Sequence, residues 1–354
     1  MSAKSQAKAE IKEQKSKTEL IPATILTGYL GSGKTTLLKR ILTERHGEKI
    51  AVIENEFGEE GIDNEILVQE KDEQIVEMNN GCICCTVRGD LVRILSDLAA
   101  KRKAGTLKFD RVIIETTGMA EPGPVAQTFF MDEAIHDQYV LDAVITVVDA
   151  KHASQQLTDS SEARAQIGFA DRLLLSKTDL VADDETKKLM DRLKRMNPRA
   201  TFHKVHFGET DIKEILDIRG FNLNSILEIE PEFLAEDHHT HSDDVQSFIW
   251  KDTRPLDMEK IEAFLSLLIQ TYGADMLRYK GVLSIDGQDN RMIFQGVHML
   301  MGGSPGKAWL PGEARESKMV FIGRNLPKRI FTEGLAYCVV DEKAEAAPAL
   351  IVTA

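Results

Sequence analysis

Gly28-Tyr29-Leu30-Gly31-Ser32-Gly33-Lys34-Thr35 sets three glycines, a lysine and the aliphatic hydroxyls of Ser32 and Thr35 at the spacing that holds a polyphosphate. Gly28, Gly31 and Gly33 let the backbone turn so that its N–H groups cup an anion, and Ser32 and Thr36 belong to the same cradle. The Lys34 ammonium can reach β- and γ-phosphate oxygens, and the Thr35 hydroxyl is a hard ligand for Mg²⁺. Ile25-Leu26 upstream and Leu37-Leu38-Lys39-Arg40-Ile41-Leu42 downstream place this loop between a strand and a helix, where a helix N-terminus adds its own attraction for anions.

A second set of residues chooses the base. Ser176-Lys177-Thr178-Asp179 follows the apolar run Leu173-Leu174-Leu175. The Asp179 carboxylate can accept from guanine N1–H and the exocyclic amine together, whereas adenine would face it with an acceptor. The Lys177 stem can cover the base, and Ser176 stands where such loops more often carry Asn or Thr. Taken alone, Asp179 would equally suit the N-cap of a following helix. With the phosphate loop it favours GTP over ATP. Glu115 ends Val112-Ile113-Ile114, where an acid can hold the Mg²⁺ shell or orient water, and Gly118 is placed for a backbone contact with the γ-phosphate. Lys34, Thr35 and Glu115 are therefore the expected catalytic residues. A solvated cap at Glu115 and a plain turn glycine at Gly118 are the alternatives.

Cys82-Ile83-Cys84-Cys85, after the turn-forming Asn79-Asn80-Gly81, concentrates three thiols in four residues. That is soft-metal chemistry suited to Zn²⁺ or a related divalent transition metal. Adjacent Cys84 and Cys85 point in different directions in an extended chain, so all three are not expected on one ion. Glu54, Glu56 and Glu59 could add oxygen ligands, and the fourth cysteine, Cys338, lies far along the chain. A redox pair and inert buried thiols are the competing readings.

The elements that must position these residues follow an α/β rhythm. Ala23–Thr27, Ile50–Glu54, Arg111–Glu115, Ala143–Asp149 and Arg172–Ser176 read as buried strands separated by helix-length segments, the pattern of a mainly parallel sheet that binds ligands beyond its carboxyl edge. The expected organisation is a disordered tail at 1–20, a P-loop GTPase domain at 21–227, an acidic and histidine-bearing linker at 228–244, a smaller α+β domain at 245–340 and a loose tail at 341–354. In the second domain Val245–Trp250, Leu277–Ile285, Arg291–Val297 and Lys318–Ile322 read as strands, and Leu256–Tyr272 and Lys328–Tyr337 as helices. His238, His239 and His241 in the linker could chelate a metal or simply be solvated.

Composition limits the partners. The 354 residues carry a formal net charge of −13, which argues against nucleic acid as the main partner. No apolar run approaches the roughly 20 residues of a membrane span, and residues 1–19 mix five lysines with three glutamates instead of forming a signal-peptide core. The clustered cysteines point to a reducing, cytoplasmic setting.

Gly28–Thr35, Glu54-Asn55-Glu56-Phe57-Gly58, Gly81–Cys85, Glu115-Thr116-Thr117-Gly118 and Ser176–Asp179 occur in the order of the CobW-type P-loop GTPases, and the chain resembles the YjiA-like group among them. The resemblance implies slow intrinsic GTP hydrolysis, a smaller C-terminal domain and a role in delivering Zn²⁺ or a related metal to an unidentified client metalloprotein. It also implies Cys84, Glu54 and Glu59 as metal-site residues, with Cys82 and Cys85 in the shared thiol motif. Self-association into a homo-oligomer is compatible with it. The alternative is a GTP-regulated redox or metal sensor that hands nothing on. A kinase would need an acceptor site for which the sequence offers no motif.

Overall fold

The computed structural model describes residues 20–44, 47–54, 75–77, 86–208, 210–211, 215–218, 244–310 and 312–340. The thiol motif, Glu56, Glu59, the linker histidines, residues 1–19 of the expected N-terminal tail and the whole expected C-terminal tail lie outside them. Two compact units divide between Ser247 and Phe248.

The first unit runs β1 Ile21–Thr27, α1 Lys34–Thr43, β2 Ile50–Glu54, β3 Ile75–Glu77, α2 Thr86–Lys103, β4 Arg111–Glu115, α3 Gly123–Met131, α4 Glu133–His136 and β5 Tyr139–Asp149. It continues through α5 Ala153–Asp159, α6 Ser161–Phe169, β6 Arg172–Ser176, a 3-10 turn at Thr178–Leu180, α7 Asp183–Met196 and β7 Thr201–Lys204. Seven strands form one sheet in the order β3-β2-β4-β1-β5-β6-β7, each pair parallel. Every residue of β4 is buried, and so are the central residues of β1 and β5, because helices cover both faces of a parallel sheet. The Ile, Val and Leu run of each strand follows from that two-sided burial.

Helix ends are chemically marked. Ser160 caps α6 by accepting from the Ala163 N–H, and α7 opens with Asp183, Asp184 and Glu185 and closes with Lys194 and Arg195, matching the helix dipole. At the amino end of the sheet the buried Arg111 guanidinium pairs with Glu48, with Asp217 at 2.8 Å and with Asp142 at 3.7 Å. Burial alone would lower its pKa, but the hydrogen bonds it donates to Glu48 and Asp217 outweigh that and raise it.

The boundary falls within β8 Val245–Asp252, and the second unit continues through α8 Met258–Tyr272, β9 Met276–Leu283, β10 Asn290–Val297, β11 Leu300–Ala308, β12 Ser317–Arg324 and α9 Lys328–Tyr337. Its sheet is ordered β11-β10-β9-β12-β8, with antiparallel pairing of β9 to β10 and β12 and of β10 to β11. Phe248, Phe321 and Phe331 form its aromatic centre, with Phe321 and Phe331 edge to face at 4.9 Å. α8 starts two residues later than its apolar pattern suggests, because Asp257 caps it by accepting from the Lys260 N–H.

Candidate functional site

The phosphate loop joins β1 to α1, as its sequence requires, and its glycines are placed by contact as well as by conformation. Gly28 has φ +145°, and a Cβ there would lie 2.3 Å from the Val147 carbonyl oxygen on β5. Gly31 and Gly33 have φ +72° and +102°, with Gly33 at the N-cap of α1. Lys34 is buried and donates to the Gly28 carbonyl at 2.8 Å and toward that of Tyr29 at 3.5 Å. Burial holds its ammonium below the usual lysine range, against an opposing pull from Glu115. The Ser32 side chain is fully buried in the loop, and its hydroxyl oxygen has no hydrogen-bond partner among the described residues.

Thr35 Oγ1 donates to Glu115 Oε1 at 3.3 Å, so the helix-borne hydroxyl and the acid at the end of β4 meet. Glu115 is buried, which removes the reading of a solvated cap. Two hard oxygens converging beside the phosphate loop fit a Mg²⁺ ion. Beside Glu115, Thr116 Oγ1 donates to Thr27 Oγ1 at 2.8 Å and ties the loop after β4 to the end of β1. Gly118 is more than a turn residue: a Cβ would lie 2.7 Å from the Leu30 backbone nitrogen. The buried Gln166 amide holds the same loop, donating to the carbonyls of Gly118 at 3.1 Å and Ala120 at 3.0 Å.

The Ser176–Asp179 segment, expected from its sequence to read the base, reaches back to the same loop. Ser176 Oγ donates to the Ser32 carbonyl at 2.7 Å, and Lys177 Nζ donates to the Gly31 carbonyl and to Asp149 Oδ2, each at 2.8 Å. Lys177 takes a left-handed backbone at φ +56°, which turns the chain out of β6 and leaves Asp179 half-exposed in the 3-10 turn. Ala182, not Asp179, is the N-cap of α7, so the capping alternative does not hold. Asp149 also accepts from His152 Nδ1 at 2.9 Å. Burial pushes its carboxyl up, but the hydrogen bonds from Lys177 and His152 prevail and keep it below the usual range.

Glu54, at the carboxyl end of β2, is the one metal candidate among the expected thiol and carboxylate ligands that the described residues include. It stands directly opposite Glu115 in the β2–β4 register, on the same face of the sheet. The described residues hold no cluster of three or more potential metal ligands. They also contain no helix long and apolar enough to cross a membrane.

Several residues at this edge escaped sequence reasoning. Asp149, Gln166 and Thr116 act by holding other groups, and only Asp149 carried a signal, as an acid at the carboxyl end of a buried strand. His206 also went unassigned, with Nδ1 standing 3.4 Å from Asp179 Oδ1.

Residues 22–204 match the model of the CobW/HypB/UreG nucleotide-binding domain, and residues 245–339 match the cobalamin synthesis protein cobW C-terminal domain. The zinc chaperone YjiA of Escherichia coli K12 is 42% identical over 311 residues, covering 87% of this chain and 95% of that one. The zinc-regulated GTPase metalloprotein activator 1 of Schizosaccharomyces pombe is 32% identical over 348 residues, covering 86% and 83%. The crystal structure of Zn(II)-bound YjiA GTPase from E. coli superposes with a TM-score of 0.76 at 36% identity, covering 91% of this chain and 99% of that one.

Proposed function

Because this chain belongs to the CobW/HypB/UreG family of nucleotide-binding proteins, we propose that it couples the binding and hydrolysis of GTP to the carriage of Zn²⁺ toward a client metalloprotein. The chain is a P-loop GTPase of that family. One observation carries the coupling: Glu115 accepts from Thr35 at the phosphate loop and stands in register with Glu54, the metal candidate on the neighbouring strand.

On this reading Gly28, Gly31, Ser32, Gly33 and Thr36 cradle the phosphates, and Gly118 senses the γ-phosphate. Lys34 exchanges the carbonyl oxygens of Gly28 and Tyr29 for phosphate oxygens, so a desolvated cation gains a formal counter-charge where charge develops. Thr35 holds Mg²⁺ with Glu115 beside it, and the ion offsets the charge on the β- and γ-phosphates when bound. Glu115 also orients the attacking water. Ser176 and Lys177 brace the base loop against the phosphate loop while Asp179 reads guanine.

Zn²⁺ is cargo. Cys84 with Glu54 and Glu59 forms its site, and Cys82 and Cys85 lie in the same thiol motif. These residues fall between the phosphate loop and Glu115 in sequence, so contacts to the γ-phosphate can order them and change zinc affinity. Linkage then requires Zn²⁺ to change GTP affinity by the same factor.

The nucleotide reading is tested by measuring phosphate release from GTP, ATP and xanthosine triphosphate by wild type and Asp179→Asn. The expected outcome is GTP preferred by wild type, and at least a roughly tenfold loss of GTP use with a gain of xanthosine triphosphate in the variant, because the Asn amide donates to the xanthine C2 oxygen. Equal use of ATP and GTP by wild type, or an unchanged preference in the variant, would contradict it.

A further inference from the structure

The loop after β4 is tied to the helix layer by one side chain from a distant part of the chain. Between Thr116 and Pro122 it buries no apolar side chain: Met119 is 59% exposed and Ala120 is half-buried. The tie is the Gln166 amide, whose Nε2 donates to the Gly118 and Ala120 carbonyls, 48 and 46 residues earlier. Gln166 is fully buried on α6, and a buried amide needs hydrogen-bond partners, but nothing in that need directs its donors to a single loop. α6 is itself fixed at this end. Thr146 Oγ1 on β5 donates to the Gln166 backbone carbonyl at 2.8 Å, and the buried Asn197 amide donates to the carbonyls of Ile167 and Ala170, each at 2.8 Å. Packing does not wedge the amide in place, since Gln166 and Tyr29 of the phosphate loop share the wall of a cavity of about 10 Å³, room for one water. A planar trans peptide points its N–H opposite its carbonyl, so the two bonds also fix the direction of the Met119 and Glu121 N–H groups. The same loop touches the phosphate loop at Leu30, beside Gly118.

We propose that Gln166 is a positioning residue for GTP hydrolysis: acting through the Gly118 and Ala120 carbonyls, it holds residues 117–121 in the arrangement that meets the γ-phosphate. This rests on the reading of Gly118 as the γ-phosphate contact. Two neutral hydrogen bonds from one side chain suit a loop that must change its contacts when the γ-phosphate leaves, because they exchange readily for bonds to water, whereas buried apolar side chains would lock it. The anchored helix supplies the fixed reference and the amide supplies the releasable grip.

The test is calorimetric titration of the full chain, with excess Mg²⁺, by GDP and by a non-hydrolysable GTP analogue, alongside single-turnover phosphate release from GTP. Gln166→Met keeps the length of the side chain and removes both donors. It is expected to weaken the analogue about tenfold and to slow release at saturating GTP by a similar factor, the scale of two lost hydrogen bonds, with GDP affinity within about twofold of wild type. Gln166→His keeps one ring N–H donor and should fall between the two. Thr146→Val removes the bond to the Gln166 backbone carbonyl but leaves the amide, so its ratio of analogue to GDP affinity should match wild type. Equal losses of GDP and analogue in Gln166→Met would overturn the proposal, because the amide would then only support the fold. A wild-type ratio and rate in both Gln166 variants would overturn it as well. Hydrogen exchange over residues 117–122 separates the two readings. Wild type should be better protected with the analogue than with GDP, and Gln166→Met should lose that difference. A difference that persists in the variant overturns the role of Gln166 alone; no difference in wild type overturns the Gly118 reading, and this proposal with it.

Discussion

At the scale of the residue, the site is built from polar groups that hold one another before any ligand arrives. Lys177 spans from Gly31 to Asp149, and Asp149 is a buried carboxylate whose hydrogen bonds from Lys177 and His152 keep its pKa below the usual range. That shift makes stability depend on pH with a definite sign. The stabilisation is fully present above the pKa of the unfolded carboxyl and is lost as the pH falls through the lower folded value. Asp149→Asn is therefore expected to lower Tm at pH 6 by roughly 5 °C, for a loss of about 2 kcal/mol. The gap to wild type should begin to narrow as the pH falls below the unfolded carboxyl value of about 3.9. Melting curves recorded from pH 6 to pH 3 check this; a gap that stays constant would show that the Asp149 charge does not supply the stabilisation.

At the scale of the element, the strands with two buried faces were legible and the exceptions have local causes. β2, β4 and β6 occupy the spans their apolar runs mark, and β5 extends from the expected Ala143 back to Tyr139, whose hydroxyl donates to the Leu95 carbonyl. β7 was not visible because Thr-Phe-His-Lys has no apolar run and lies at the sheet edge. β11 was hidden by Gly302-Gly303, Pro305 and Gly306, which read as turn chemistry. There the small residue serves close approach: a Cβ at Gly306 would meet Ile293 Cδ1 at 2.6 Å, and the edge position tolerates Pro305. The site divides in the same way. The phosphate loop and the Ser176–Asp179 segment are legible as candidates by their spacing, whereas the Gln166 contacts join chain segments distant in sequence and leave no local pattern. Arg111 gives the element-scale prediction, because it joins β4 to Glu48 before β2, to Asp142 on β5 and to Asp217. Arg111→Met takes the neighbouring cation from Asp142, the one buried carboxylate of the three, and is expected to cost about 3 kcal/mol by denaturant titration. Nucleotide affinity should be retained, because the cluster lies at the opposite end of the strands from the phosphate loop. A loss under 1 kcal/mol would mean that the acids are adequately solvated without it.

At the scale of the whole molecule, the account is one of linkage. The carboxyl edge of one parallel sheet carries the phosphate loop, the Ser176–Asp179 turn, Glu115 and Glu54, and the proposed function has a triphosphate and a metal ion address neighbouring strands there. A nucleotide can alter zinc affinity only as far as it binds the two metal states differently, and the reverse change must be equal. The most direct measurement is a competition titration of Zn²⁺ against a chromophoric chelator, on wild type and Cys84→Ala, each with a non-hydrolysable GTP analogue plus Mg²⁺ and with GDP plus Mg²⁺. The account predicts that wild type binds Zn²⁺ more tightly with the analogue than with GDP, by roughly fivefold or more, the usual scale of allosteric coupling, and that Cys84→Ala abolishes the difference. Zinc affinity that is the same with both nucleotides, in wild type as in the variant, would contradict it.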